Sequence, residues 1–288
     1  MVYPGNPLIG EPGRIAQLSP DGRLSVCCAL LTTFPAEAIV ICTDKYMTIS
    51  TTALPGASHQ ITNSAGPELL NHLHYNYPLG IRVGDALSTP SYGLQNCYCI
   101  IHVNGPSFTT RTRAARPLLR QLLVDCYRRA LEEAFRLGAR SVAFPCISTG
   151  VMGWPRGEAA RIGVSVVRAW LRHPIYGEVR RGVIEKVVFL CDPVGKQAHQ
   201  EQAWRAAFRE FWPQISLSRR LSRVSFQDYV DKQEMRRLEK DTNQLVEDQQ
   251  GVSVVPVPEL RSPVLIIEMK NELRRSRRRR KRPDRCGH

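Results

Sequence analysis

The chain has 288 residues, 43% of them hydrophobic, which suffices for one large domain or for one domain with an extension. Its formal net charge is +14, and no stretch approaches the ~18 consecutive apolar residues of a membrane span, so no membrane role is expected. The start, "MVYPGNPLIGEPGRIAQ", has no apolar run behind a basic end, so no signal peptide is expected either. The nine cysteines (27, 28, 42, 97, 99, 126, 146, 191 and 286) mostly sit in apolar strings such as "VCCALL" and "VVFLC". That usage points to buried, reduced thiols rather than a secreted disulfide frame.

Taken in chain order, "AEAIVICT" (36–43) is a short β-branched apolar run and reads as a buried strand. "NSAGPELLNHL" (63–73) turns helical from about Pro67. "QNCYCIIHVNG" (95–105) is a strand closed by Asn-Gly. Its Cys97 and Cys99 then share one face and belong to the core, because no second pair supports a metal. "ARPLLRQLLVDCYRRALEEAFRLG" (115–138) is an amphipathic helix. Leu118, Leu122, Cys126, Ala130 and Ala134 form its stripe, and Gly138 ends it. "SVAFPCI" (141–147) is a strand, and "PRGEAARIGVSVVRAWLRH" (155–173) is a helix with Pro155 in its first turn. "VIEKVVFLC" (183–191) is a last buried strand, followed by a helix at 200–212 with Trp204, Phe208 and Phe211 on one side.

Strands separated by helices of this length need crossovers, which gives an α/β fold with a mostly parallel sheet covered on both sides. We place this domain at 13–215, with an arm at 1–12 and an extension at 216–288. In the extension, residues 226–250 lack a wide apolar stripe and read as a solvated helix or a disordered segment. The run Arg274–Arg282 carries eight cations in nine residues. Such a block stays disordered unless it meets an anionic partner, and it reads as a nuclear-import signal, a nucleic-acid contact, or both.

The stretch that points to chemistry is "PCISTGVMGWP" (145–155). Ligands of open α/β sheets bind beyond the carboxyl ends of the strands. Gly150 and Gly153 let backbone N–H groups face a guest with no Cβ between, and the following helix presents its positive end. A phosphate or diphosphate suits Ser148, Thr149, Gly150, Val151, Met152 and Gly153. A purely steric strand–helix corner is the alternative reading of the same glycines.

"SVAFPCISTGVMGWPRGEAARIGVSVVRAWL" resembles the second binding loop and following helix of macrodomains, the ADP-ribose-binding module. "AEAIV", "SAGPELL", "VGDALSTPSYGLQNCYCIIHVNGP" and "EKVVFLCD" are similar to other macrodomain segments, in the family's order, from about Leu24 to Trp212. The resemblance implies a three-layer α/β/α macrodomain, with a mixed, largely parallel sheet and ADP-ribose as ligand. It also places Asp44, Gly56 and Ala57 beside the ligand, with no metal and no cofactor.

Four departures mark this chain as divergent. Where macrodomains carry the aspartate that selects adenine, this chain has Ala29-Leu30-Leu31, and Leu30 cannot accept a hydrogen bond. The family's Asn-Ala-Ala-Asn is Ile41-Cys42-Thr43-Asp44, which loses an amide donor and sets a negative charge against a diphosphate. The glycine run of the first loop becomes Ala53-Leu54-Pro55-Gly56-Ala57-Ser58-His59, and the position of the acidic residue used by one hydrolase branch falls near Ser58, which is not acidic. Met152 stands where an aromatic often shields the ribose. These changes favour a reader module over an ADP-ribosyl hydrolase, and no catalytic residue is assigned; His59 reads as a surface or packing residue. The remaining alternative is a nuclear scaffold or nucleic-acid binder with a vestigial cleft. In the extension, 252–255 and 264–268 resemble SUMO-interacting motifs that add a strand to a partner; docking back on the domain is the other reading. The run at 274–285 would meet importin or nucleic acid, in the nucleus; otherwise the protein is expected in the cytoplasm.

Overall fold

The computed structural model describes residues 15–17, 19–46, 57–109, 115–192 and 200–212. The arm at 1–12, Gly56 with most of the first loop, the runs at 252–255 and 264–268, and the basic run at 274–285 lie outside them. The chain divides into two units, Met1–Gln233 and Glu234–His288, and all described residues fall in the first.

Seven strands form one sheet: β1 (Ile15–Gln17), β2 (Leu24–Cys28), β3 (Ala38–Thr43), β4 (Ala86–Pro90), β5 (Cys99–Asn104), β6 (Ser141–Phe144) and β7 (Lys186–Cys191). Their order is β1-β2-β7-β6-β3-β5-β4. The pairs β2–β7, β7–β6, β6–β3 and β3–β5 are parallel, and the outer pairs β1–β2 and β4–β5 are antiparallel. This is the mixed, largely parallel sheet the sequence leads one to expect. Its central strands are mostly apolar because both faces are covered, and every residue of β5 and β6 is buried, His102, Asn104 and Ser141 included. The edge strand β4, "ALSTP", alternates between buried and half-buried positions, as a strand with one wet flank should.

Among the described residues, six helices cover the faces: α1 (Ala57–Ala65), α2 (Pro67–Asn76), α3 (Arg116–Arg136), α4 (Arg156–Leu171), α5 (Gly177–Val183) and α6 (Gln200–Phe211). From α1 and α2, Ile61, Ala65, Leu69 and Leu73 join Ile39, Ile41, Ile100 and Leu190 in one core layer. On the other face α3 packs on β4 and β5, α6 packs on β2 and β7, and α4 lies between them. An aromatic series crosses this second layer. Trp204 lies 4.3 Å from Phe189, Phe189 6.2 Å from Phe144, and Phe144 5.4 Å from Tyr127, centroid to centroid.

Several boundaries differ from the sequence reading, each for a physical reason. β6 stops at Phe144 because Pro145 has no N–H for the ladder. Val183 closes the short helix α5 instead of opening β7. Cys97 precedes β5, so strand alternation does not relate it to Cys99, although both are buried as expected. Leu118 is 62% exposed; the buried stripe of α3 starts at Leu123 and includes Tyr127 and Leu131. Gly138 has φ of 67° and ends α3 as expected.

α3 and α4 meet where Tyr127 fills the space left by Gly163. A Cβ at Gly163 would lie 2.8 Å from the tyrosine ring. Overpacking of this kind costs about 1–3 kcal/mol. Gly163→Ala should lower stability by that amount in urea unfolding, and an unchanged midpoint would contradict this packing.

Candidate functional site

The carboxyl ends of β3, β5 and β6 lie side by side, and the loop Cys146–Pro155 crosses them to reach α4. At their meeting point stands Gly105, the residue after β5. A Cβ there would fall 2.1 Å from Ser148 Oγ, 3.0 Å from Cys42 Sγ and 3.2 Å from Ile147 Cγ2. The three strand ends can converge only because this position has no side chain. Burial pushes the Cys42 thiol above its ordinary range, against the amides of Gly105 and Ser148, which pull it down. Cys42 is therefore a neutral group in the floor of the cleft.

The loop is held from beneath and from one side. Ile147 N donates to the Tyr127 hydroxyl at 3.2 Å, and burial drives that phenol well above its usual range, so it stays protonated. Thr149 Oγ1 donates to Cys146 O at 2.8 Å. Trp154 N donates to Ser148 O at 3.0 Å, and Gly153 N donates to Gly150 O at 3.1 Å. The flank is closed by Phe108 N donating to Met152 O at 2.7 Å and by Trp154 Nε1 donating to Pro106 O at 2.9 Å. Behind these contacts Arg116 and Arg120 of α3 pair with Glu158 in the first turn of α4.

Two features of the loop are unusual. Ser148 adopts φ of 65°, a left-handed conformation that costs an L-residue roughly 1–2 kcal/mol. Ser148 is 3% exposed, and its hydroxyl interacts with the buried Cys42 thiol. Beyond it, the backbone N–H groups of Gly150, Val151 and Met152 have no acceptor among the described residues, while the amides on either side are used. Val151 is 82% exposed, so this run of three donors lies at the surface. Free amides in sequence, at the amino end of a helix, form a concavity suited to an anion.

The sequence-predicted residues fall as follows. Ser148 to Gly153 form the loop, and Asp44 follows β3 two residues beyond Cys42, on the same strand edge. Lys45 O accepts from Ile81 N at 2.8 Å, which ties the Asp44 turn to the segment before β4. Ala57 opens α1, and the Ser58 hydroxyl donates to Cys42 O, joining α1 to the end of β3. Ser58 is thus committed to structure. His59 is on α1 with its Nε2 3.0 Å from Asn63 Nδ2, in keeping with its reading as a surface residue. Leu30 is half-buried in the turn after β2, and its carbonyl accepts from Phe34 N at 2.9 Å. Gly105, Tyr127 and Trp154 were not read as site residues. The Asn-Gly closing "IIHVNG" was the available signal for Gly105; Tyr127 had none, being one aromatic within a helix.

Replacing Tyr127 with Phe would leave the buried Ile147 N–H without its acceptor, a loss of about 1–3 kcal/mol. Tyr127→Phe should therefore lower stability by that amount and speed amide exchange in residues 147–153. Unchanged exchange there would remove Tyr127 as the support of the loop.

Comparison with known proteins agrees with this geometry. The Macro domain family matches residues 51–163. A macro domain-containing protein of Ralstonia nicotianae is 38% identical over 149 residues, which cover 52% of this chain and 81% of that one. Among solved structures, the macro domain of ganglioside induced differentiation associated protein 2 has 28% identity and a TM-score of 0.53; the match covers 65% of this chain and 90% of that chain. A mutant Oceanobacillus iheyensis macrodomain with ADPR has 26% identity and a TM-score of 0.53, with coverage of 65% and 94%.

Proposed function

Since this chain belongs to the macro domain family, we propose that it binds ADP-ribose, or a closely related nucleotide diphosphate, as a reader module. The observation that carries the reading is the run of three unused amides at Gly150, Val151 and Met152, set at the strand ends and leading into α4. A diphosphate supplies the acceptors these donors lack, and the helix end adds a favourable field. The strained, buried Ser148 supports the same reading, because backbone strain of this kind collects at ligand sites. In this proposal Asp44 and Ala57 line the ribose side, and Met152 packs over the ligand. Leu30 offers no side-chain acceptor to the base, so adenine should be poorly discriminated from other purines.

We place binding ahead of cleavage because the groups beside the loop suit a passive role. Cys42 is held neutral by burial, and the His59 ring nitrogen faces Asn63 on its own helix. Titration calorimetry of the full chain with ADP-ribose tests the proposal. Saturable binding is expected, with a loss of at least ~10-fold, equal to about 1.4 kcal/mol, in Gly150→Glu. Heat that matches buffer at millimolar ligand, or equal binding by the variant, would overturn it.

We further propose that the run at 274–285 directs the chain to the nucleus, on the strength of its density of positive charge, eight cations in the nine residues 274–282. A fluorescent reporter carrying residues 270–288 should concentrate there; an even distribution through the cell would count against the signal.

A further inference from the structure

At the opposite end of the sheet from the loop, a cavity of about 200 Å³ is lined by Asp21, Leu24, Arg168, Leu171, Arg172, Arg181 and Trp212. It lies at the start of β2 and at the carboxyl ends of α4 and α5. Three guanidinium groups face one carboxylate there. Many arginines of the domain pair with acids, as Arg116 and Arg120 do with Glu158, Arg128 with Asp125 and Glu132, Arg129 with Asp85, and Arg161 with Glu210, while Arg23 and Arg180 donate to backbone carbonyls. Arg168, Arg172 and Arg181 have no acidic partner within 4.0 Å among the described residues. Asp21 is partly occupied, since its Oδ1 accepts from Ser19 Oγ at 2.6 Å and from Arg23 N at 3.2 Å.

The arginines are held in place without being neutralised. Arg168 lies over the Trp212 ring at 5.6 Å and over Phe211 at 5.8 Å, and Arg172 lies over Trp212 at 5.9 Å. Arg181 Nη1 donates to Leu171 O at 2.6 Å. Aromatic faces and the carbonyls ending α4 temper the repulsion between these cations but supply no counter-ion. Two further donors are buried here with no acceptor: Arg168 Nε and the Nε1 of Trp212, a residue 9% exposed. A buried donor left unmade is costly, and two of them beside clustered guanidiniums call for an anionic acceptor.

We propose that this cavity is a second ligand site, separate from the Ser148–Gly153 loop, and that it takes a phosphate monoester dianion. Three cations against one carboxylate leave two positive charges in excess, which a dianion balances. Guanidinium forks match the oxygens of a phosphate better than those of a smaller anion. The volume is below the ~300–1,000 Å³ that encloses a whole small molecule, so the cavity holds the phosphoryl group and leaves its substituent outside. Trp212, the aromatic residue among the lining residues named above, is buried and already stacked on Phe208 at 5.4 Å, so it is not free to stack on a base. The ligand is therefore recognised by its phosphate and not by a nucleobase.

The test is calorimetric titration of the full chain carrying Gly150→Glu, which silences the loop, at constant ionic strength in chloride. Inorganic phosphate and methyl phosphate should bind saturably, and dimethyl phosphate, a monoanion, at least ~10-fold more weakly. Preference for one of the first two identifies free phosphate or an ester as the natural form. Arg172→Gln, at an exposed position, should weaken binding by ~10-fold or more, and Asp21→Asn should tighten it several-fold by removing the opposing charge. Arg181→Gln also removes the Leu171 contact, so the first two variants decide. Equal affinity for the diester, non-saturating heat, or indifference to both Arg172→Gln and Asp21→Asn would overturn the site, whatever the loop does with ADP-ribose.

Discussion

The Tyr127 side chain, seated against Gly163 and reaching Ile147 N–H with its hydroxyl, joins the core of this domain to its cleft. Its ring ends the aromatic series that runs from Trp204 of α6 through Phe189 and Phe144 in the sheet. Its oxygen takes the last buried amide before the chain leaves the strand region and becomes a loop. Close packing transmits position because a dense interior deforms little. The loop thus inherits its placement from contacts made by α3, β6, β7 and α6. Most of the hydrogen bonds around the loop serve the same end, fixing Ile147, Thr149, Gly153 and Trp154 so that the amides between them remain free.

Such an arrangement has a cost. Ser148 is held in a left-handed conformation, and three main-chain donors go unused among the described residues. Gly105 gives up a side chain so that Ser148 and Cys42 can approach. The strands beside this corner are joined by ladder bonds, and every residue of β5 and β6 is buried. A fold with no guest to receive would gain stability by relaxing that corner.

α4 connects two contrasting environments. Its amino end follows the loop, where the helix field favours negative charge and where Glu158 meets Arg116 and Arg120. Its carboxyl end carries Arg168 and Arg172, placed favourably toward the negative pole of the helix but crowded with Arg181 around one indole. Cations meet a carboxylate at the first end, and at the second they have no acidic partner among the described residues. The overall basicity of the chain is therefore expressed locally within the folded domain as well as in the run at its end.

What the sequence by itself determined is whatever depends on neighbours along the chain. Strands β3, β5, β6 and β7 were legible because a strand covered on both faces must be mostly apolar, and α3, α4 and α6 because their buried positions recur at helical spacing. The turn between β6 and α4 was legible because its glycines and Pro155 interrupt both periods, which suits a ligand loop and a steric corner alike. By contrast, α1, α5 and the edge strand β4 are short, and their faces are not apolar enough to announce a period. Only the tertiary structure decided that Gly105 must be bare, that Tyr127 supports Ile147, that Leu118 faces outward, and that Asp21, Arg168, Arg172, Arg181 and Trp212 share a cavity. The reason is that each of these depends on strand order and helix crossing. Both are settled by pairing between distant segments, a quantity that local periodicity does not carry.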